Sequence, residues 1–463
     1  MAFNGRRPSN SLWEPTPVST QKRTDKLKLG AFFHPTGNHV ASWLYPESQI
    51  DAGTNFAHYV EMAQIAERGK FDLMFLADAV ATRDGNLEAL SRWPQYMNFL
   101  DPLTLLAGLT AVTKHLGLVA TATTSYNEPY QIARRLASFD HMTGGRAGWN
   151  VVTSANTSEA YNFGRDEHYA HGERYDRAEE FVEVVKGLWD SYDDGAFVRD
   201  RSSGRYFKPD ALHFLHHQGE NFKVRGPLHI ERSPQGYPVL AQASASAVGT
   251  ELAGRIAEIV FTPLHSLAQG QQIYQQLKDL AVKNGRQPDD IKIMPGLNAI
   301  VGRTEEEAKE KHFRLQSLIH SAVGRELLQN ALRGMDLSPY GDDEPFPEDV
   351  VAKLLADDRR RYEPIVAGRP TIRQMYEKFA GARGQRTLVG SPTQVADDIE
   401  HWFVNHAVDG FLIQPAYTPG GLDDFVTLVV PELQHRGLFR TEYEGRTLRE
   451  NLGLRRPPSR YAR

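Results

Sequence analysis

Residues 116–154, LGLVATATTSYNEPYQIARRLASFDHMTGGRAGWNVVTS, read as strand, helix, strand. LGLVATAT (116–123) is a short apolar run. PYQIARRLASFDHMTGG (129–145) carries helical spacing, with Pro129 at its first position and two glycines closing it. GRAGWNVVTS (145–154) returns to an apolar run. A connection this long joins parallel strands, because antiparallel neighbours need only a hairpin. Near-continuous apolar strands mean a sheet covered on both faces. Two details do not suit an ordinary core strand: Trp149 beside Asn150, and the end on Thr153-Ser154.

The same unit recurs in both directions. LKLGAFF ends at Phe33, and a helix with Phe56, Tyr59, Val60, Ala63 and Ala66 on one face stops at Gly69. DLMFLAD (72–78) is apolar until its final acid, and DPLTLLAGLTAVTKH (101–115) is predicted helical with Asp101 as N-cap and Pro102 inside. The segment 173–190 predicts an amphipathic helix with Phe181, Val185 and Leu188 opposite Glu179, Glu180 and Glu183. YPVLAQAS (237–244), AEIVFTP (257–263), IKIMPGLNAIVG (291–302) and VDGFLIQP (408–415) complete eight strand candidates. Eight strands alternating with helices predict an α/β fold, a closed (β/α)8 TIM barrel. The rival is a doubly wound open sheet, which more often has five to seven strands.

The expected organisation is an N-terminal arm (1–27), a single barrel domain (28–456) and a short tail (457–463). Long insertions follow strand 4 (about 190–236) and strand 7 (about 303–390). The first contains HFLHHQGENFKV and reads as a hairpin-like excursion. The second contains helical pieces, GDDEPFPEDV and DDRRRYE. It reads either as a lid over a substrate or as a peripheral helical decoration.

Composition narrows the chemistry. The chain has 463 residues with a formal net charge of −5, so neither nucleic acid nor an anionic membrane is an expected partner. It has no cysteine, which excludes disulfides, thiolate metal sites and cysteine nucleophiles. No apolar run approaches the ~20 residues of a membrane span. The polar first residues lack a signal-peptide core, and a cytoplasmic protein is expected. GxSxG, Walker and GxGxxG signatures are missing. His213, His216 and His217 lack accompanying carboxylates, so no metal site is expected.

In a barrel the functional residues sit at strand C-termini. Here these are Asp78, Thr121 to Ser125, Thr153-Ser154, the Ala243–Ser246 turn, Thr262 and Gln414. The ring holds many hydroxyls and amides and one carboxylate, against paired-acid glycoside hydrolysis and against a hard-metal site. It suits a polar, hydrogen-bonding cofactor, although any one strand-end Asp or Thr is as readily a helix cap. ASASAVGTELAG (243–254) has the small residues of an anion-binding turn before a helix. His171 and Tyr175, four apart, can face the same way.

Several long motifs recur in order in a known family. FLAD (75–78), TATTSYNEPYQIARRLASFDHMTGGRAGWNVVTSAN (121–156), NFGRDEHYAHGERYDRAEEFVEVVKGLWDS (162–191), NFKVRGPLHIERSPQGYPVLAQAS (221–244) and VVPELQHRGLFRTEYEGRTLRENLGL (429–454) resemble the bacterial-luciferase-like flavin monooxygenases. Within that family the chain looks like the branch of nitrilotriacetate and EDTA monooxygenases, which also includes dibenzothiophene-sulfone and long-chain alkane monooxygenases. The resemblance implies a TIM barrel that uses reduced FMN and O2 through a flavin C4a-peroxide. It implies a separate NAD(P)H:flavin reductase as partner and a homo-oligomer, dimer or tetramer. Carried over by position, Asp78, Thr121, Ser154, His171, Tyr175, Ser244, Ala245 and Ser246 would bind FMN. Ser244 departs from the glycine usual in relatives. Ala155 stands where the alkane enzyme has histidine, so that enzyme's chemistry does not transfer. His39, Tyr126 and Asn127 would face the substrate, with Glu128 beside them. NEPY and NFGRDEH favour C–N cleavage of an aminopolycarboxylate-like amine over C–S cleavage of an organosulfur compound. A deazaflavin-dependent dehydrogenase and a non-catalytic flavin carrier are the competing classes.

Overall fold

A computed structural model describes residues 23–243, 246–332 and 334–462. Its strands are β1 (Lys28–Phe33), β2 (Leu73–Leu76), β3 (Gly117–Thr123), β4 (Ala147–Val152), β5 (Val239–Ala243), β6 (Ile259–Phe261), β7 (Lys292–Ile293), β8 (Gly296–Val301), β9 (Arg386–Gly390) and β10 (Gly410–Ile413). All pair in parallel. β7 and β8 are two halves of the predicted seventh strand, parted at Pro295, whose nitrogen has no hydrogen to give a ladder. β7 pairs with β6 while β8 pairs with β10, so the interrupted strand closes the barrel. Backbone bonds from Asp409 N to Ile293 O (2.8 Å) and from Leu412 N to Pro295 O (2.9 Å) seal it. β9 is an addition outside the predicted eight, paired to the free side of β8.

Alternation sorts the side chains of each strand. Phe32, Leu73, Phe75, Val119, Ala241 and Leu412 fill the inside. Gly30 belongs to this inner layer, in register with Leu73 and Leu412, and a Cβ there would come within 2.4 Å of Leu412. Leu448 and Leu452, from the helix Leu448–Leu452, plug the N-terminal end. The outer faces pack on α1 (Phe56–Arg68), α2 (Pro102–Leu109), α3 (Pro129–Thr143), α4 (His171–Trp189), α5 (Ala247–Ile256) and α6 (Leu267–Lys283). α2 stops at Leu109, six residues short of the predicted helix end at 115. α3 ends as its glycines require: Gly144 is left-handed (φ 67°) and Gly145 N–H reaches Asp140 O at 2.9 Å.

The first insertion holds a two-stranded antiparallel hairpin, His217–Gln218 against Lys223–Val224. There His217 bonds Glu180, while His213 bonds Asp193, each at 2.9 Å. The second insertion is a folded helical unit: α7 (Glu305–Ser317), α8 (Ser321–Ala331), α9 (Glu348–Val366) and α10 (Ile372–Ala382). It has its own core, including Val323, Leu328, Phe346 and Tyr376. Val40, Ala41 and Trp93, from loops after β1 and β2, join that core and so dock it on the barrel mouth. α11 (Pro392–Val404) then leads to β10. No helix among the described residues is long and apolar enough to cross a membrane.

Candidate active site

The C-terminal ends of β2 to β5 surround a cavity of about 290 Å³. Asp78, Thr121, Thr123, Ser154, Glu159 and Tyr175 are among its walls. The Trp-Asn pair of β4 now has a reason. Trp149 points outward, fully buried beside Phe181, and its indole N–H donates to Ala122 O at 3.0 Å. Asn150 points inward and donates to Thr121 Oγ1 at 2.8 Å, while Thr121 donates to Leu76 O at 2.7 Å. The amide oxygen of Asn150 is buried without a partner among the described residues. Buried acceptors in native folds are rarely left so, unless a ligand or water completes them.

Ser154 is held in a left-handed conformation, φ 52°, uncommon for a residue with a side chain. Four groups fix it there. Its carbonyl accepts from His168 Nε2 (3.2 Å) and from Arg174. Its hydroxyl lies 2.8 Å from that of Thr123 and donates to Glu159. The Ser154 proton is spent on Glu159, so the Thr123 hydroxyl donates to Ser154 Oγ and accepts the Ser125 N–H at 3.1 Å. Backbone strain over-determined in this way is typical of ligand sites.

Glu159 comes from the 3₁₀ turn Thr157–Phe163 and is 4% exposed. The expected ring with a single carboxylate therefore needs correction: Asp78 and Glu159 share the cavity. Burial holds both carboxyls above their usual range. Asp78 is pushed up to about 6, chiefly by burial, with Asp101 and Glu159 adding to it. A raised folded pKa makes the charged form a cost that is complete above pH 6 and fades as pH falls toward the unfolded value of about 3.9. Asp78→Asn is therefore expected to stabilise the flavin-free protein at pH 8 by about 1–2 kcal/mol, allowing for solvent in the cavity. Thermal unfolding should show the gain shrinking between pH 6 and pH 4. A gain independent of pH would mean that Asp78 is not the group in question.

The other residues predicted as contacts lie as follows. α4 begins at His171 and α5 follows Ser246, its N-cap, whose Oγ accepts Gly249 N–H at 3.1 Å. Tyr175 Oη lies 3.4 Å from Ser246 Oγ, and the His171 ring is 5.1 Å from that of Tyr175. Two helix N-termini thus converge, a setting that favours an anion. Ser244 and Ala245 lie outside the described residues. Tyr126 stands behind Ser154, bonded to His168 and stacked on Phe163 at 4.8 Å. The Asn127 amide is used within its own turn, donating to Thr123 O at 2.8 Å.

His39 is not in this cavity. It lines a second one of about 1210 Å³, walled by β8, β9, α7 and α10. Its Nδ1 must accept, because it receives the Ala41 N–H at 3.2 Å. Its proton is therefore on Nε2 and is donated to Gln316 Oε1 at 3.1 Å. Burial, with His312 adding, pushes the ring down to about 4, so it stays neutral at physiological pH. Glu159, His168, Arg174 and Gln316 were not singled out from sequence. The run TSANTSEA gave one usable signal, an acid five residues beyond the strand-end serine.

A luciferase-like monooxygenase family model matches residues 32–410. The chain belongs to the luciferase-like monooxygenase family. Nitrilotriacetate monooxygenase component A of Aminobacter aminovorans is 48% identical, over 95% of this chain and 98% of its own length. N-acetyl-S-(2-succino)cysteine monooxygenase of Bacillus subtilis (strain 168) is 47% identical, over 95% and 99%. Among solved structures, DmoA from Hyphomicrobium sulfonivorans superposes with a TM-score of 0.84 at 34% identity, covering 92% of each chain. The resemblance read from the motifs is thereby borne out, as is the barrel. Luciferase-like monooxygenases depend on a flavin, and the cavity fits one: hydroxyls and the amide oxygen of Gln242, unpartnered among the described residues, line it, and two helix N-termini converge beside it.

Proposed function

We propose that this monooxygenase is the oxygenating component of a two-component system. It takes reduced FMN from a separate NAD(P)H:flavin reductase and oxidises a small amine bearing carboxylates, with C–N cleavage. The observation that carries the flavin assignment is the amide oxygen of Gln242, buried without a partner among the described residues, in a cavity wall of hydroxyls. The relative named as a component A supports the division of labour.

Asp78, Thr121 and Ser154 would hold the flavin ring, and His171, Tyr175 and Ser246 its phosphate. When bound, reduced flavin supplies the activation of O2 and the oxygen atom given to the substrate. The protein's own part is to position and to keep dry. Thr123, His168, Arg174 and Glu159 lock Ser154 in place. The helical insertion covers the larger cavity and limits water. His39 holds its Nε2 proton on Gln316 in the wall of that cavity.

The test combines the protein with FMN, NADH and a flavin reductase under ¹⁸O₂. Nitrilotriacetate and N-acetyl-S-(2-succino)cysteine are offered separately. The expected result is reduced-FMN binding and O2-dependent loss of a carboxymethyl arm from the amine as an aldehyde, read by mass spectrometry. Cleavage of the thioether alone would move the reading to C–S chemistry. Failure to bind reduced FMN, with no product from either, would overturn it.

A further inference from the structure

Buried arginines in this chain are matched to acceptors. Arg232 pairs with Asp190, Arg440 with Asp72 and Arg449 with Glu258, while Arg146 donates to backbone carbonyls and to Thr113. Two arginines beside the barrel mouth break the pattern. Arg83 lies after β2, and Arg383 caps α10 in a left-handed conformation, φ 52°. Both guanidinium groups stack on the Trp93 ring, 4.1 and 5.6 Å from its centroid. Arg83 also stands 4.9 Å over Tyr96, itself at φ 59°.

No carboxylate among the described residues pairs with either group. Arg83 gives one hydrogen bond, to Gln95 Oε1 at 3.3 Å, and its Nε is buried without a partner. The Arg383 guanidinium has no hydrogen bond or ion pair among the described residues. The pair repels: Arg383 is pushed down to about 10, mainly by burial and further by Arg83. His34 is held well below the usual imidazole range, chiefly by its own burial and further by the same two arginines. Two close, half-buried cations without a counter-ion cost stability unless an anion joins them. The planar forks suit a two-oxygen anion, and the Trp93 ring lies against both.

The pair lies beside two cavities lined by its neighbours. Arg383 adjoins Gly384 and Gln385, which line the large cavity. Trp93, Gln95 and His34 line a small cavity of about 40 Å³ that shares His39 with the large one. Tyr96 senses the charge of both arginines and of Asp78.

We propose that Arg83 and Arg383 form a clamp for a carboxylate of the substrate, which makes the substrate an anionic small molecule. That the anion is substrate rests on the function proposed above; the clamp itself does not. The flavin phosphate is the other source of an oxyanion, and it is expected at Tyr175 and Ser246 instead.

The test uses propane-1,2,3-tricarboxylate, which carries carboxylates but no nitrogen or sulfur to oxidise, with its trimethyl ester as control. Calorimetry on the full-length protein should show saturable binding of the acid and none of the ester. Arg83→Gln and Arg383→Gln should each weaken the acid at least tenfold, leave FMN affinity unchanged and keep or raise the melting temperature by relieving repulsion. If a glutamine variant does not fold, Arg83→Lys and Arg383→Lys keep the charge and should weaken binding several-fold by losing the fork. Equal binding in wild type and variants would overturn the clamp, as would equal binding of the ester. A parallel loss of FMN affinity would overturn it in favour of the flavin phosphate. Tricarboxylate binding that depends on both arginines, in a protein that oxygenates nothing, would leave the clamp standing and remove only the reaction.

Discussion

His39→Ala is expected to lower oxygenation by about 10²–10⁴-fold, the range for losing a positioned proton donor, while reduced-FMN binding stays unchanged. The two halves of this expectation have separate grounds. His39 is 1% exposed, and its ring is fixed by the Ala41 N–H on one side and Gln316 on the other. Its Nε2 proton is therefore held at a defined atom on Gln316, and both residues line the 1210 Å³ cavity. The proposed flavin contacts line a different cavity, so a flavin titration should not register the change. The pH profile adds a check. Because the ring is held down to about 4, it carries no charge between pH 5 and 8, and a step near 6.5 in the wild-type rate should not come from His39. Stopped-flow oxygenation with the substrate present measures the loss. Full activity in the alanine variant would make His39 a packing residue.

Much of the fold could be read from the chain because strand burial leaves a local mark. Each apolar run of five to seven residues followed by a helix-length segment is a barrel unit. The split at Pro295 was present in the sequence, yet IKIMPGLNAIVG still reads as one strand because both halves are apolar. RTLVG (386–390) does not announce itself: β9 is half-buried through most of its length and lies inside an insertion. Asp78, Thr121, Ser154, Tyr175 and Ser246, the proposed cofactor contacts, could be picked out from the chain because all lie at strand ends or helix starts. Glu159 was not, because a short 3₁₀ turn carries it back over the barrel mouth. Arg83 and Arg383 are three hundred positions apart, and only tertiary packing on Trp93 brings them together.

Arg440→Met should cost about 3–5 kcal/mol of stability, the range for breaking a buried ion pair from one side, with little change in flavin binding. Asp72 is fully buried between β1 and β2. Its carboxylate accepts the Leu29 N–H at 2.8 Å and pairs with Arg440, which also donates to Asn451 O at 2.7 Å. The guanidinium thus ties the first two strands to the segment whose leucines plug the barrel floor. Methionine fills much of the volume but leaves the Asp72 charge in an apolar wall with one remaining donor. Adding Asp72→Asn should recover part of the loss, because the buried charge is then gone. Denaturant titration should show a lower midpoint with an unchanged slope for the single variant and a partial return for the double. Additive losses in the double variant would mean that the two residues act independently. Confining the effect to stability follows from barrel geometry: the floor supports the strands, while the ligand-facing residues sit at the opposite end.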